Sequence, residues 1–126
     1  NHSKGIILYH FIFVTHRRKK TLQNVPISLF VDAIKDYPLQ ILEGEVGEAD
    51  HVHLLVQANN DYSPAEVARI IKGTSYPPLR KSVEKWGGWS RGYYCTTIGT
   101  VNVDAIVKYI QNQEKENGND STQDTI

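Results

Sequence analysis

The chain has 126 residues, with 14 lysines and arginines balanced by 14 aspartates and glutamates. That length suits one domain with its own core and no attached second domain, and the balanced charge excludes a partner drawn by net field alone, so a nucleic acid would need a local basic patch. A single cysteine, Cys95, excludes an internal disulfide and no apolar run reaches membrane-spanning length, so a cytoplasmic protein with no membrane partner is expected.

In chain order, residues 5–14 are almost entirely apolar and rich in β-branched and aromatic side chains, the pattern of a central strand, interrupted by His10. The basic run His16-Arg17-Arg18-Lys19-Lys20 follows. It reads either as a phosphate-contacting patch or as a solvated loop after the strand. Pro26 suits the first turn of a helix carrying Phe30, Val31 and Ile34 to about Tyr37, where Pro38 disfavours continuation. Residues 39–46 resume a strand pattern, 47–50 make a turn, and 51–58 form the second arm of an antiparallel β-hairpin.

That second arm opens with Asp50-His51-Val52-His53-Leu54-Leu55-Val56. Alternate strand residues share a face, so the imidazoles of His51 and His53 project together and make half of a metal site. The alternative is a strand whose imidazoles are simply hydrogen-bonded or wet. Ser63-Pro64-Ala65-Glu66 has the form of a capping box, and Val67, Ile70 and Ile71 continue at helical spacing. Gly73 and Pro77-Pro78 predict the end of this helix near Tyr76, with a separate short helical piece over 79–86 before Gly87-Gly88. Residues 93–98 read as a last strand, and 99–103 turn the chain into a terminal helix with Asn102 or Asp104 as cap.

On that helix Tyr109 and Gln113 stand four residues apart on one face, beside an apolar stripe of Val103, Ile106, Val107 and Ile110. From Glu114 the sequence is polar, so a single domain over 1–116 and a disordered tail over 117–126 are expected. The order βαββαβα predicts an α+β fold of split βαβ type. This is a ferredoxin-like (RRM-like) antiparallel sheet with helices on one face, plus a C-terminal helix carrying the tyrosine. Two imidazoles and one amide oxygen suit Mg²⁺ or Mn²⁺ for phosphate chemistry, and geometry alone does not exclude Zn²⁺. A phenolic oxygen beside a metal-bound phosphate is a competent nucleophile, whereas packing of the Tyr109 ring into the core is the alternative.

Six segments in order carry a resemblance across nearly the whole chain. They are the strand from Tyr9 to Val14 with Thr15-His16-Arg17-Arg18-Lys19, then Ile41 to Val46, Asp50 to Val56, Ile71-Lys72-Gly73, Trp89 to Tyr93, and Lys108 to Gln113. Together they resemble the single-tyrosine HUH transposases of single-strand insertion sequences. The resemblance implies a ferredoxin-like homodimer that cleaves and rejoins single-stranded DNA at hairpin-bearing element ends through a 5′-phosphotyrosine. It implies sites that can be composite, with the tyrosine helix of one subunit facing the histidine pair of the other. In the same way it implies Tyr109 as nucleophile and His51, His53 and Gln113 as ligands of Mg²⁺ or Mn²⁺. Arg17, Arg18, Lys19, Lys72 and Arg91 are candidates for DNA contact, and Trp89, Tyr93 and Tyr94 for stacking on unpaired bases. The rival reading is a noncatalytic or repurposed single-stranded nucleic-acid-binding dimer.

Overall fold

A computed structural model describes residues 5–100 together with Asn112. Strand β1 (Ile6–Val14) leads through a short 3₁₀ turn (His16–Arg18) to helix α1 (Ile27–Ala33). Strands β2 (Gln40–Gly47) and β3 (His51–Asn59) follow, then helix α2 (Pro64–Ser82) and strand β4 (Tyr94–Thr100). The sheet order is β2-β3-β1-β4 with every neighbouring pair antiparallel. This is the split βαβ arrangement, in which each crossover helix skips over one inserted strand.

The two faces of the sheet differ in chemistry because side chains alternate. Tyr9, Phe11 and Phe13 of β1 and Val52, Leu54 and Val56 of β3 pack with Phe30 and Ile34 from α1 and its following turn. Val67, Ile71 and Leu79 of α2 complete this main core. The opposite face carries His10, Ile12 and Val14 of β1 against Leu55, His53 and His51 of β3, pair by pair. A small apolar cluster of Leu8 and Leu55, with Ile6, Leu42 and Ile98 packed around it, also lies on this side.

The caps and turns of the sequence decide most element boundaries. Ser63 Oγ accepts from the Glu66 amide at 3.1 Å while Glu66 Oε1 accepts from the Ser63 amide at 2.9 Å, a closed capping box that fixes the start of α2. The end of α2 departs from expectation: the helix runs through Pro77-Pro78 to Ser82, and no separate piece follows over 79–86. Each interior proline costs about 3 kcal/mol of helix propensity, but Leu79 and Val83 beyond them are buried in the core. Tertiary packing therefore carries the helix past its breakers. In contrast, α1 stops at Ala33 rather than near Tyr37, with a turn before Pro38. Of the expected terminal helix, Asn112 is helical and exposed; the rest of that segment, including Tyr109 and Gln113, lies outside the described residues. Among the described residues no helix is long and apolar enough to cross a membrane.

Candidate metal and nucleic-acid site

The β2-β3 connection ends in Asp50, and β3 begins at once with His51. Register places His51 opposite Val14 and His53 opposite Ile12, so both imidazoles emerge on the face away from the helices. Their ring centroids are 5.6 Å apart at an interplanar angle of 63°. His51 is 1% exposed and Asp50 3% exposed. His51 Nδ1 lies 2.7 Å from Asp50 Oδ1, and the other carboxylate oxygen accepts from Arg18 Nε at 3.2 Å, with Lys20 Nζ at 3.9 Å.

Burial alone would push the Asp50 carboxyl up. The hydrogen bond from His51 and the charges of Arg18 and Lys20 outweigh it and hold the group below the usual carboxylate range. An ionised Asp50 bonded to Nδ1 fixes the ring orientation of His51 and favours the tautomer whose lone pair is on Nε2. This is the arrangement in which a carboxylate orients a metal-ligating histidine. The Nε2 edge lies over Gly47: a Cβ built on Gly47 would overlap this nitrogen. A side chain at that position would collide with the ring.

His53 has a different neighbour. His10 of β1 stacks on it with centroids 5.3 Å apart at 29°, and His10 Nε2 is 3.4 Å from His53 Nδ1. Burial lowers the His10 pKa and favours its neutral form. The donor set thus comprises two adjacent imidazoles, one oriented through a carboxylate, which fits half the coordination of a divalent cation. Among the described residues no group of three or more His, Cys, Asp or Glu side chains forms a complete cation site. The third ligand expected from sequence, Gln113, and the expected nucleophile, Tyr109, belong to the segment outside the described residues.

The basic run is brought to this same end of the sheet. Arg17 and Arg18 both adopt left-handed backbone, with φ of 58° and 53°, a conformation that L-residues enter rarely and at a cost. Anchors on either side hold them there. The Thr15 amide donates to Asp50 O at 2.9 Å, the His16 amide to Gly88 O at 2.8 Å and the Leu22 amide to Ala49 O at 2.8 Å. Arg17, Arg18 and Lys19 are exposed, so they can meet phosphates. Lys72 is placed otherwise: its Nζ donates to Ser90 O at 2.8 Å and Gly92 O at 2.7 Å, which braces the segment bearing exposed Arg91.

The three aromatic candidates also separate. Trp89 belongs to the core edge, its ring 5.1 Å from Trp86 and 6.0 Å from Phe13, with Nε1 donating to Ser75 Oγ at 3.2 Å. Tyr93 is 40% exposed and sets an edge against Phe11, whereas Tyr94 is 70% exposed. Sequence reasoning passed over the roles of Asp50 and His10. The signals were an acid directly before the histidine pair, and a histidine in β1 whose side chain falls on the His53 face.

Known proteins resemble this chain in sequence and in fold. A family profile described as "Transposase IS200 like" matches residues 4–113. The ISDra2 transposase TnpA of Deinococcus radiodurans is 29% identical over 118 residues, covering 83% of this chain and 82% of that relative. The transposase for insertion sequence element IS200 of Salmonella typhimurium is 26% identical over 126 residues, covering 91% and 82% respectively. The crystal structure of a candidate transposase from Deinococcus radiodurans superimposes with a TM-score of 0.61 at 27% identity, over 90% of this chain and 95% of that one. A REP-associated tyrosine transposase bound to a REP hairpin shares the fold, with a TM-score of 0.55 at 17% identity over 86% and 64% of the two chains.

Proposed function

The chain belongs to the IS200-like transposase family, and from this premise we propose that it cleaves and rejoins single-stranded DNA at hairpin-bearing element ends through Tyr109. Family membership makes it a transposase, an enzyme of DNA recombination. The observation that carries the finer reading is the Asp50-oriented His51 beside His53, at the end of the sheet where the basic loop is anchored.

In the proposed reaction the Tyr109 oxygen attacks the scissile phosphorus. The new bond joins tyrosine to the 5′ phosphate, the P–O3′ bond breaks, and the departing 3′ oxygen is protonated as the phenol loses its proton. Because one phosphoester replaces another, a second 3′-OH can reverse the attack and join a new strand without ATP. His51, His53 and Gln113 would hold Mg²⁺ or Mn²⁺, which supplies Lewis-acid polarisation of the phosphate when bound. Asp50 keeps His51 in place, while Arg17, Arg18, Lys19 and Arg91 engage phosphates of the strand and Lys72 acts as the brace behind Arg91. The reading includes a homodimer whose tyrosine helix and histidine pair can come from different subunits.

The test uses labelled single-stranded oligonucleotides from the flanks of the protein's own gene, incubated with Mg²⁺ or Mn²⁺. A denaturant-resistant adduct is expected with the unaltered protein and none with Tyr109→Phe, which should bind the strands normally. His51→Ala should lose cleavage at every Mg²⁺ concentration while still binding DNA; unchanged cleavage across the titration removes His51 from the ligand set. Tight binding without any adduct would establish the noncatalytic single-strand binder instead.

A further inference from the structure

A cleft of about 330 Å³ lies beside the histidine pair, lined by Ile12, Val14, Arg18, Arg91, Tyr93 and Tyr94 among others. Its size falls within the roughly 300–1,000 Å³ span of small-ligand pockets. Ile12 and Val14 are the residues paired across the sheet with His53 and His51, so the cleft and the imidazoles occupy adjacent strips of one face. Tyr94 likewise pairs with Ile12 and presents a ring that is 70% exposed.

The rim is fixed in advance. Lys72 Nζ donates to Ser90 O and Gly92 O at 2.8 and 2.7 Å, the Ser90 amide donates to Val14 O at 2.8 Å, and Ser90 Oγ donates to Thr15 O at 3.0 Å. Arg91 therefore stands on a braced segment rather than on a loose loop. Arg18, which lines the same cleft, uses Nε to reach Asp50 at 3.2 Å, yet its side chain remains 61% exposed. Two arginines lining the same cleft as an exposed phenol ring match a nucleotide: the ring offers a stacking surface to a base, and the cations offer contacts to the neighbouring phosphates.

We propose that this cleft seats one unpaired nucleotide of the DNA strand, its base stacked on Tyr94 and its neighbouring phosphates held by Arg18 and Arg91. The inference rests on the single-stranded DNA reading above and adds to it a specific base-binding position next to the histidines. Because Arg18 also contacts Asp50, a strand seated here touches the partner of the carboxylate that orients His51. Every base has a π-face, so the seat tolerates any sequence.

The experiment measures full-chain binding by fluorescence anisotropy, in EDTA, to labelled oligothymidylate and to an abasic deoxyribose-phosphate strand of the same length. Loss of one stacked base corresponds to roughly 5-fold or more in affinity. Tyr94→Ala is expected to reduce the preference for the base-bearing strand by about that factor and leave abasic binding within about 2-fold, whereas Tyr94→Trp retains the preference. Arg91→Gln is expected to weaken both strands alike and to flatten the salt dependence. Equal effects of Tyr94→Ala on both strands, or no effect on either, overturn the proposal. So does a change in sedimentation with unaltered base preference, which would assign Tyr94 to a subunit contact. Since the measurement needs neither metal nor cleavage, a Tyr109-dependent adduct with a flat base preference removes the seat alone, and absence of any single-strand binding removes both readings.

Discussion

Asp50 links three functions at the scale of single residues: it ends a turn, orients His51 and receives Arg18. Asp50→Asn keeps the shape but removes the charge, and metal-supported cleavage is expected to fall about 10- to 100-fold with DNA binding nearly unchanged. The same variant tests the electrostatics. Since the folded carboxyl lies below its usual range, its stabilising contribution is present above the unfolded pKa and fades as the pH falls through the folded one. Melting profiles should therefore show Asp50→Asn less stable than the natural chain near neutrality, with the two converging in acid. Gly47 has an equally local role. Its missing side chain makes room for the His51 imidazole, so Gly47→Ala must push the ring aside. The expected result is loss of metal-supported cleavage with strand binding retained; normal cleavage would show that the ring position is not needed.

Among the elements, α2 shows most directly how local signals and packing compete. Its start was legible because a capping box is a purely local device, with Ser63 and Glu66 satisfying each other's amides. Ser63→Ala should cost about 1 kcal/mol in urea unfolding. Its end was not legible, because Pro77-Pro78 are local breakers while the residues that override them, Leu79 and Val83, act through burial against distant parts of the chain. The same contrast holds for the basic loop. The sequence presents five consecutive polar residues with no sign of their anchor, but backbone bonds from Thr15 and Leu22 attach the loop to Asp50 and Ala49 of the β2-β3 turn. Close packing between elements also leaves little tolerance at β2: a Cβ on Gly44 would approach Leu54 Cδ2 at 2.8 Å and Ile27 Cγ2 at 2.9 Å. Gly44→Ala is accordingly expected to destabilise by about 1–3 kcal/mol, read from the urea midpoint.

For the whole molecule, a formal net charge of zero is reconciled with a DNA-directed role by placement rather than by amount. Arg17, Arg18 and Lys19 are gathered at one end of the sheet, where their field adds locally beyond what the Asp50 carboxylate offsets, while the other acidic residues cancel it at long range. Single-strand affinity should fall with salt, and Arg17→Gln and Lys19→Gln should each reduce the log–log slope by about 0.7 if each holds one phosphate. An unchanged slope would make these residues ordinary surface charges.

The sequence by itself determined the types and order of the strands and α-helices from β1 to β4, the shared face of His51 and His53, the cap of α2 and the family resemblance. These depend on periodicity, spacing and short-range bonding, which neighbouring residues specify among themselves. Tertiary structure alone decided that Asp50 and Arg18 meet, that His10 stacks on His53, that Lys72 braces the Arg91 segment, and that Trp89 joins the core while Tyr94 remains outside. These outcomes depend on residues far apart in the chain, which strand register and helix packing bring together or leave apart.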